Sequence, residues 1–239
     1  MSRGRRGYTL VLSCEHGGNE VPPAYRGSFR GASRVLATHR GLDIGALGAA
    51  RYLQKRFRVT LVYATVTRLL ADLNRSIGHP RLHSEFTRQL AASERRKLLA
   101  AHYHPYRERI VEQIALRLAA GNTVLHLSMH SFTPVLNGET RNAELGLLYD
   151  PARACELRFC LDWQRRLGEL LPELRIRRNY PYHGASDGLQ RALRRQFRTP
   201  RYVAVELELN QGMADKKRAF PPRLLAAIAA SLAPVVTGH

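Results

Sequence analysis

The stretch that most constrains this chain is Val11-Leu12-Ser13-Cys14-Glu15-His16-Gly17-Gly18-Asn19, an apolar run that stops abruptly at a histidine and two glycines. A short buried strand followed at once by glycine turns delivers a polar side chain to the carboxyl edge of an α/β sheet, where open sheets bind ligands. The pattern recurs. Residues 8–14, Val59–Thr67, Thr123–Met129, Leu145–Tyr149, Leu174–Arg178 and Tyr202–Leu209 read as strands. Helices are expected between them. Asp43 stands as the cap of one whose apolar positions Ile44, Leu47, Ala50, Leu53 and Phe57 fall at helical spacing, and Ser93 as the cap of a long one that Pro105 interrupts and Gly121-Asn122 ends. Ala152–Leu171 and Asp187–Phe197 follow, and Pro222 opens the last helix in the position proline prefers. A loop rich in Gly and Pro separates His16 from about Gly41, and Asn137–Asn142 forms a polar loop. Strands alternating with helices predict a three-layer α/β fold, a mixed and mainly parallel sheet with helices on both faces. At 239 residues without a low-complexity break, one domain spanning 1–239 is expected.

Composition narrows the partners less than the fold. The 38 Lys+Arg against 19 Asp+Glu give a formal charge of +19, a field that attracts nucleic acid, anionic membranes or small acidic molecules alike. The arginines fall mostly in amphipathic stretches, as solvated helix faces would place them. No nucleic-acid module or aromatic stacking platform accompanies them, so a binding protein for nucleic acid is the weaker reading. No stretch approaches the ~20 apolar residues of a membrane span. Arg3, Arg5 and Arg6 before Tyr8–Leu12 imitate an export signal, but the apolar run is too short for one. Cys14, Cys155 and Cys160 form no CxxC pair, which fits a reducing, cytoplasmic compartment.

Four polar residues stand where buried strands end or helices begin: His16, Asp43, His130 and Glu208. Catalytic zinc takes three protein ligands from His and carboxylate and leaves a position for water, and His16, Asp43 and His130 would supply such a set. Asp43 reads equally as an ordinary helix cap. Glu206 and Glu208 lie in an otherwise apolar strand, where alternation puts both on one face and burial demands a partner for each. His126 shares the strand of His130 but lies deeper, which suits a structural role. His79, His83, His102 and His104 fall in an expected surface loop and helix without matching carboxylates and form no second metal set.

Ser13–Asn19, Thr38–Ala46, Asp72-Leu73-Asn74-Arg75, His130-Ser131-Phe132, Gly146–Asp150 and Glu206–Gln211 occur in one order from near the start to about Gln211. In that order the chain resembles the N-formylglutamate amidohydrolase family, and behind it the zinc carboxypeptidase and aspartoacylase group. The resemblance implies a zinc-carboxypeptidase-like fold, one Zn2+ per chain, and hydrolysis of a small anionic N-acyl amino acid such as N-formyl-L-glutamate. A related deacylase or carboxypeptidase acting on another N-acyl amino acid or a peptide is the alternative.

The resemblance also implies roles. His16 and His130 match the two metal histidines of the carboxypeptidase group. The acidic ligand of its HxxE motif is replaced here by Asn19, so Asp43 takes that place across an inserted loop, with Glu20 or Asn19 itself as the alternative. Asn74 and Arg75 match a DxNR motif that grips the substrate carboxylate, and a guanidinium's paired donors suit that task. Glu208 rather than Glu206 matches the general base, and Glu206 would hold a ligand histidine from behind. Arg68 corresponds to a carbonyl-polarising arginine, at different spacing. Arg141-Asn142 would reach a second carboxylate, and the loop Tyr180–Gly188 would place Tyr182 or His183 near substrate.

Overall fold

A computed structural model describes residues 7–236, so Arg3, Arg5 and Arg6 lie outside the described residues. Its frame is a six-stranded sheet in the order β2-β1-β3-β8-β6-β7. The strands are β1 (Tyr8–Cys14), β2 (Leu61–Tyr63), β3 (Thr123–Phe132), β6 (Leu145–Leu148), β7 (Ile176–Arg178) and β8 (Tyr202–Asn210). All neighbouring pairs are parallel except β6 with β8, so the sheet is mixed and mainly parallel. A small antiparallel pair, β4 (Val135–Leu136) with β5 (Glu139–Thr140), lies apart from it, with β5 inside the stretch Asn137–Asn142 expected to be plain loop.

Alternation along the strands sorts their side chains onto two faces. Leu125, Leu127 and Met129 of β3 and Val203, Val205, Leu207 and Leu209 of β8 pack into one apolar core with α2 (Ala46–Phe57), α5 (Ala154–Leu170) and α7 (Pro222–Leu232). The other parity, including Val11, Val124, Tyr202 and Ala204, packs against Tyr106, Ile110 and Ile114 of α4 (His104–Ala119) and Leu189 and Leu193 of α6 (Leu189–Gln196). Helices therefore cover both faces, which makes the three layers. The short helices α1 (Ser33–Leu36) and α3 (Ala92–Leu98) flank a third apolar cluster around Phe29, Leu70 and Leu98.

Several boundaries differ from the sequence expectation for local physical reasons. The expected strand Val59–Thr67 shortens to Leu61–Tyr63, because past Tyr63 the backbone leaves the sheet to pair with the Gly-rich loop: Glu20 donates to the Thr65 carbonyl and Thr67 to that of Glu20. A side chain at position 18 would meet the Thr65 carbonyl oxygen at 2.3 Å, so only glycine allows this approach. The long helix is interrupted by a π turn at Leu99–Tyr103, in the turn that precedes Pro105, whose missing N–H cannot continue the i to i−4 ladder there. Asp43 is not the cap of α2. Gly45 is, with φ of 78°, and the Asp43 carboxylate turns elsewhere.

Candidate metal centre

The carboxyl ends of β1, β3 and β8 converge with two loops to build the site. His130 lies in β3 opposite Glu208 of β8, and Ser128 opposite Glu206. His16 follows the end of β1 by two residues, and its carbonyl accepts the Asp43 backbone N–H at 2.9 Å, which fixes two residues 27 positions apart. Asp43 Oδ2 then lies 3.4 Å from His16 Nδ1 and 2.8 Å from His130 Nδ1. One donor atom from each of these three buried residues falls within 4.8 Å of the other two, close enough to hold a common metal ion.

Behind each imidazole stands a second carboxylate. Asp72 Oδ1 is 2.8 Å from His16 Nε2, and Glu15 Oε2 is 3.0 Å from His130 Nε2. Arg68 joins the two acids, donating to Asp43 Oδ1 at 3.1 Å and to Asp72 Oδ2 at 2.9 Å. The electrostatics follow from this pairing. Burial favours the neutral ring of His130, but hydrogen bonds to Asp43 and Glu15 outweigh it and raise its pKa well above the ordinary value. His16 moves the same way, burial and Arg68 being overcome by Asp72 and Asp43. Burial would raise Asp43, Asp72 and Glu15, yet the facing cations hold all three below the usual carboxylate range.

Glu208 is the opposite case. Its Oε2 is buried with no hydrogen-bond partner among the described residues, and burial pushes its pKa up to about 8 against the attraction of His130. Glu206 is also raised by burial, with its Oε2 3.9 Å from His130 Nε2. Both line a cavity of about 610 Å3, shared with His16, Asp43 and His130 and edged by Arg40, Arg68, Arg75, Arg81 and Arg141. Five arginines thus share one cavity with the cluster, a lining that suits an anion.

The residues expected to touch substrate divide. Arg75 lines the cavity and spends Nη1 on the Asp187 carbonyl at 3.0 Å. Asn74 also lines it, but its Oδ1 accepts the Leu189 N–H at the start of α6, at 2.7 Å, so its amide NH2 is the group left for a ligand. Arg141 donates to the Tyr182 hydroxyl at 2.9 Å while its buried Nη1 has no partner among the described residues. Tyr182 and His183 line the cavity together. Three candidates are not among the residues that line this cavity. Asn142 is not among the cavity-lining residues, and its N–H donates to Tyr180; Asn19 donates to the Leu36 carbonyl and faces the loop instead; Glu20 accepts from Thr65 on the exposed side.

Glu15 and Asp72 were given no role by the sequence reading. The signal for Glu15 was available, because it continues the parity of Val11 and Ser13 onto a buried face, where an unpaired carboxylate is costly. Asp72 opens the DxNR motif already singled out. His126 lies below the site and is held by Ser13 Oγ at 2.9 Å and Tyr202 OH at 3.0 Å.

Fold and site together define a class: an α/β protein with a buried histidine–carboxylate cluster at the carboxyl edge of a mixed sheet. The sequence matches the family model for N-formylglutamate amidohydrolase over residues 8–214. The chain belongs to the N-formylglutamate amidohydrolase family, hydrolases of an amide bond. It is similar to gene product Atu2144 from Agrobacterium tumefaciens, with 30% identity and a TM-score of 0.75 over 97% of this chain and 89% of that one. The fold is also that of N-formylglutamate amidohydrolase from Ralstonia eutropha JMP134, with 18% identity and a TM-score of 0.67 over 96% and 92% of the two chains. No curated protein matches the sequence.

Proposed function

We propose that the protein is a zinc-dependent amidohydrolase that cleaves N-formyl-L-glutamate, or a similar N-acyl acidic amino acid, to the amino acid and the carboxylate. One observation carries the reading: His16 Nδ1, Asp43 and His130 Nδ1 converge, while the far nitrogen of each ring meets a carboxylate. That is the donor set and the supporting arrangement of a metal-binding histidine pair. Zinc bound there would supply Lewis acidity and a nucleophilic water near neutral pH.

The chain's own residues do the rest. Glu208, unpartnered on one oxygen and lining the cavity, accepts a proton from the attacking water and returns it to the departing amine. A cation at the cluster would favour its ionised form, which burial by itself disfavours. Arg75 and the Asn74 amide hold one carboxylate of the substrate, and the free Nη1 of Arg141 with Tyr182 holds the other. Arg68 keeps Asp43 and Asp72 in place. Asp72 and Glu206 stand beside the histidines. No helix among the described residues is long and apolar enough to cross a membrane, and the three cysteines are free, which supports a cytoplasmic setting.

The test is metal analysis of the purified protein joined to hydrolysis of formyl-glutamate before chelation, after chelation and after zinc is restored. The expected result is about one zinc per chain and activity that follows it. Full activity in metal-free protein would end the zinc reading, and bound zinc without turnover would move the substrate elsewhere.

A further inference from the structure

Glu15 is an acid with almost no contact with solvent, just after the end of β1, and nothing in the proposed chemistry uses it directly. It is fully committed all the same. Its Oε2 lies 3.0 Å from His130 Nε2 and accepts the Ser128 hydroxyl, and its Oε1 accepts the Tyr106 hydroxyl at 2.8 Å. Tyr106 belongs to α4, is itself buried, and its hydroxyl also lies 3.3 Å from the Val62 carbonyl of β2. Three elements of the fold thus fix one carboxylate against the back of one imidazole.

We infer that Glu15 is a positioning residue for His130, held in place by Tyr106, which presents Nδ1 of that ring to the cation and strengthens it as a ligand. The inference rests on the metal-binding reading above. The physical reason is the division of labour between the two ring nitrogens. A carboxylate accepting from Nε2–H leaves the lone pair on Nδ1, on the side of Asp43, and its negative charge makes that lone pair more basic. Ser128 helps orient the acid, since its hydroxyl donates to Glu15 and also lies 2.9 Å from His130 Nε2. Burial gives the arrangement its strength, because no water competes for the Glu15 oxygens.

The chain contains its own comparison. His126, four residues earlier on the same strand face, is bonded to the hydroxyls of Ser13 and Tyr202 and to no carboxylate. A neutral hydroxyl partner suits a structural imidazole, and a carboxylate suits a ligand.

The experiment measures zinc affinity by chelator competition, and the visible spectrum of the cobalt-substituted protein, for the wild type, Glu15→Gln, Tyr106→Phe and Tyr202→Phe. Glutamine can still accept from Nε2 but carries no charge. Glu15→Gln is expected to lower zinc affinity about 10- to 100-fold and to shift the cobalt spectrum. Tyr106→Phe should lower affinity by a smaller factor in the same direction, and Tyr202→Phe should leave it unchanged. A folded Glu15→Gln with wild-type affinity and spectrum would overturn the inference, as would equal losses in Tyr106→Phe and Tyr202→Phe. If Glu15→Gln does not fold, Tyr106→Phe decides, wild-type affinity there counting against the inference. A wild type that binds no zinc removes the metal reading and this inference with it, whereas zinc held equally by wild type and variants removes this inference alone.

Discussion

The two faces of β3 and β8 are built from the same strands and obey opposite rules. On one, Leu125, Leu127, Met129, Val205 and Leu207 pack without exposure against α2, α5 and α7. On the other, His126, Ser128, His130, Glu206 and Glu208 are as deeply placed, but every polar atom must find a partner or bear the cost of burial. The first face tolerates any side chain of suitable size and apolarity. The second does not, because each histidine there is defined by the group behind it. Along that face the partners change from hydroxyls near the middle of the sheet to carboxylates at its edge, and chemistry becomes available at the edge.

Breaking the polar face should abolish turnover without unfolding the protein. Glu208→Gln is expected to slow hydrolysis about 10²- to 10⁴-fold, roughly 3–5 kcal/mol of transition-state stabilisation, while bound metal and the unfolding midpoint stay near wild type. Loss of metal or of fold in that variant would remove Glu208 from the proton-transfer role. Breaking the apolar face should do the converse. Leu127→Ala, at a site with no exposure, should cost roughly 2–5 kcal/mol in denaturant unfolding and leave kcat of the folded fraction unchanged.

The comparison sharpens with pH. Burial pushes the His126 pKa from an ordinary 6.5 down to about 4, so the unfolded chain takes up this proton first as pH falls. Stability tied to His126 is therefore fully present above about pH 6.5 and is lost as pH drops through about 4, about 3 kcal/mol in all. Urea midpoints across that window should fall in the wild type and flatten in His126→Gln; equal slopes would place the acid sensitivity in other groups. The smallest effect belongs to the cavity edge. Arg141→Lys, which loses the fork but keeps the charge, should raise KM for formyl-glutamate about tenfold with kcat little changed, and an unaltered KM would take Arg141 out of carboxylate binding.

Much of this was legible before any coordinates. The long strands β1, β3 and β8 announced themselves by buried apolar runs ending in polar residues, and Pro222 does open the last helix as its fixed φ favours. The short β2 was overestimated because Val59–Thr67 is rich in β-branched residues, and propensity cannot report that the backbone beyond Tyr63 pairs with a glycine loop. Asp43 was legible as a candidate and ambiguous as a cap, since both roles place a carboxylate before a helix. The backbone bond to His16 and the αL residue at Gly45 separate them. Asn142 follows the cavity residue Arg141 in sequence, yet neither it nor Asn19 lines the cavity.

Residue order alone determined the family, the layered fold, and the candidates for binding a cation or moving a proton. Those are matters of periodicity and chemical type, which a chain carries wherever it goes. Which carboxylate stands behind which imidazole, that Asn74 keeps only its NH2 for a ligand, and that Glu208 Oε2 has no partner among the described residues were decided by tertiary structure. Such facts depend on distances of about three ångströms between positions tens of residues apart, and only packing sets them.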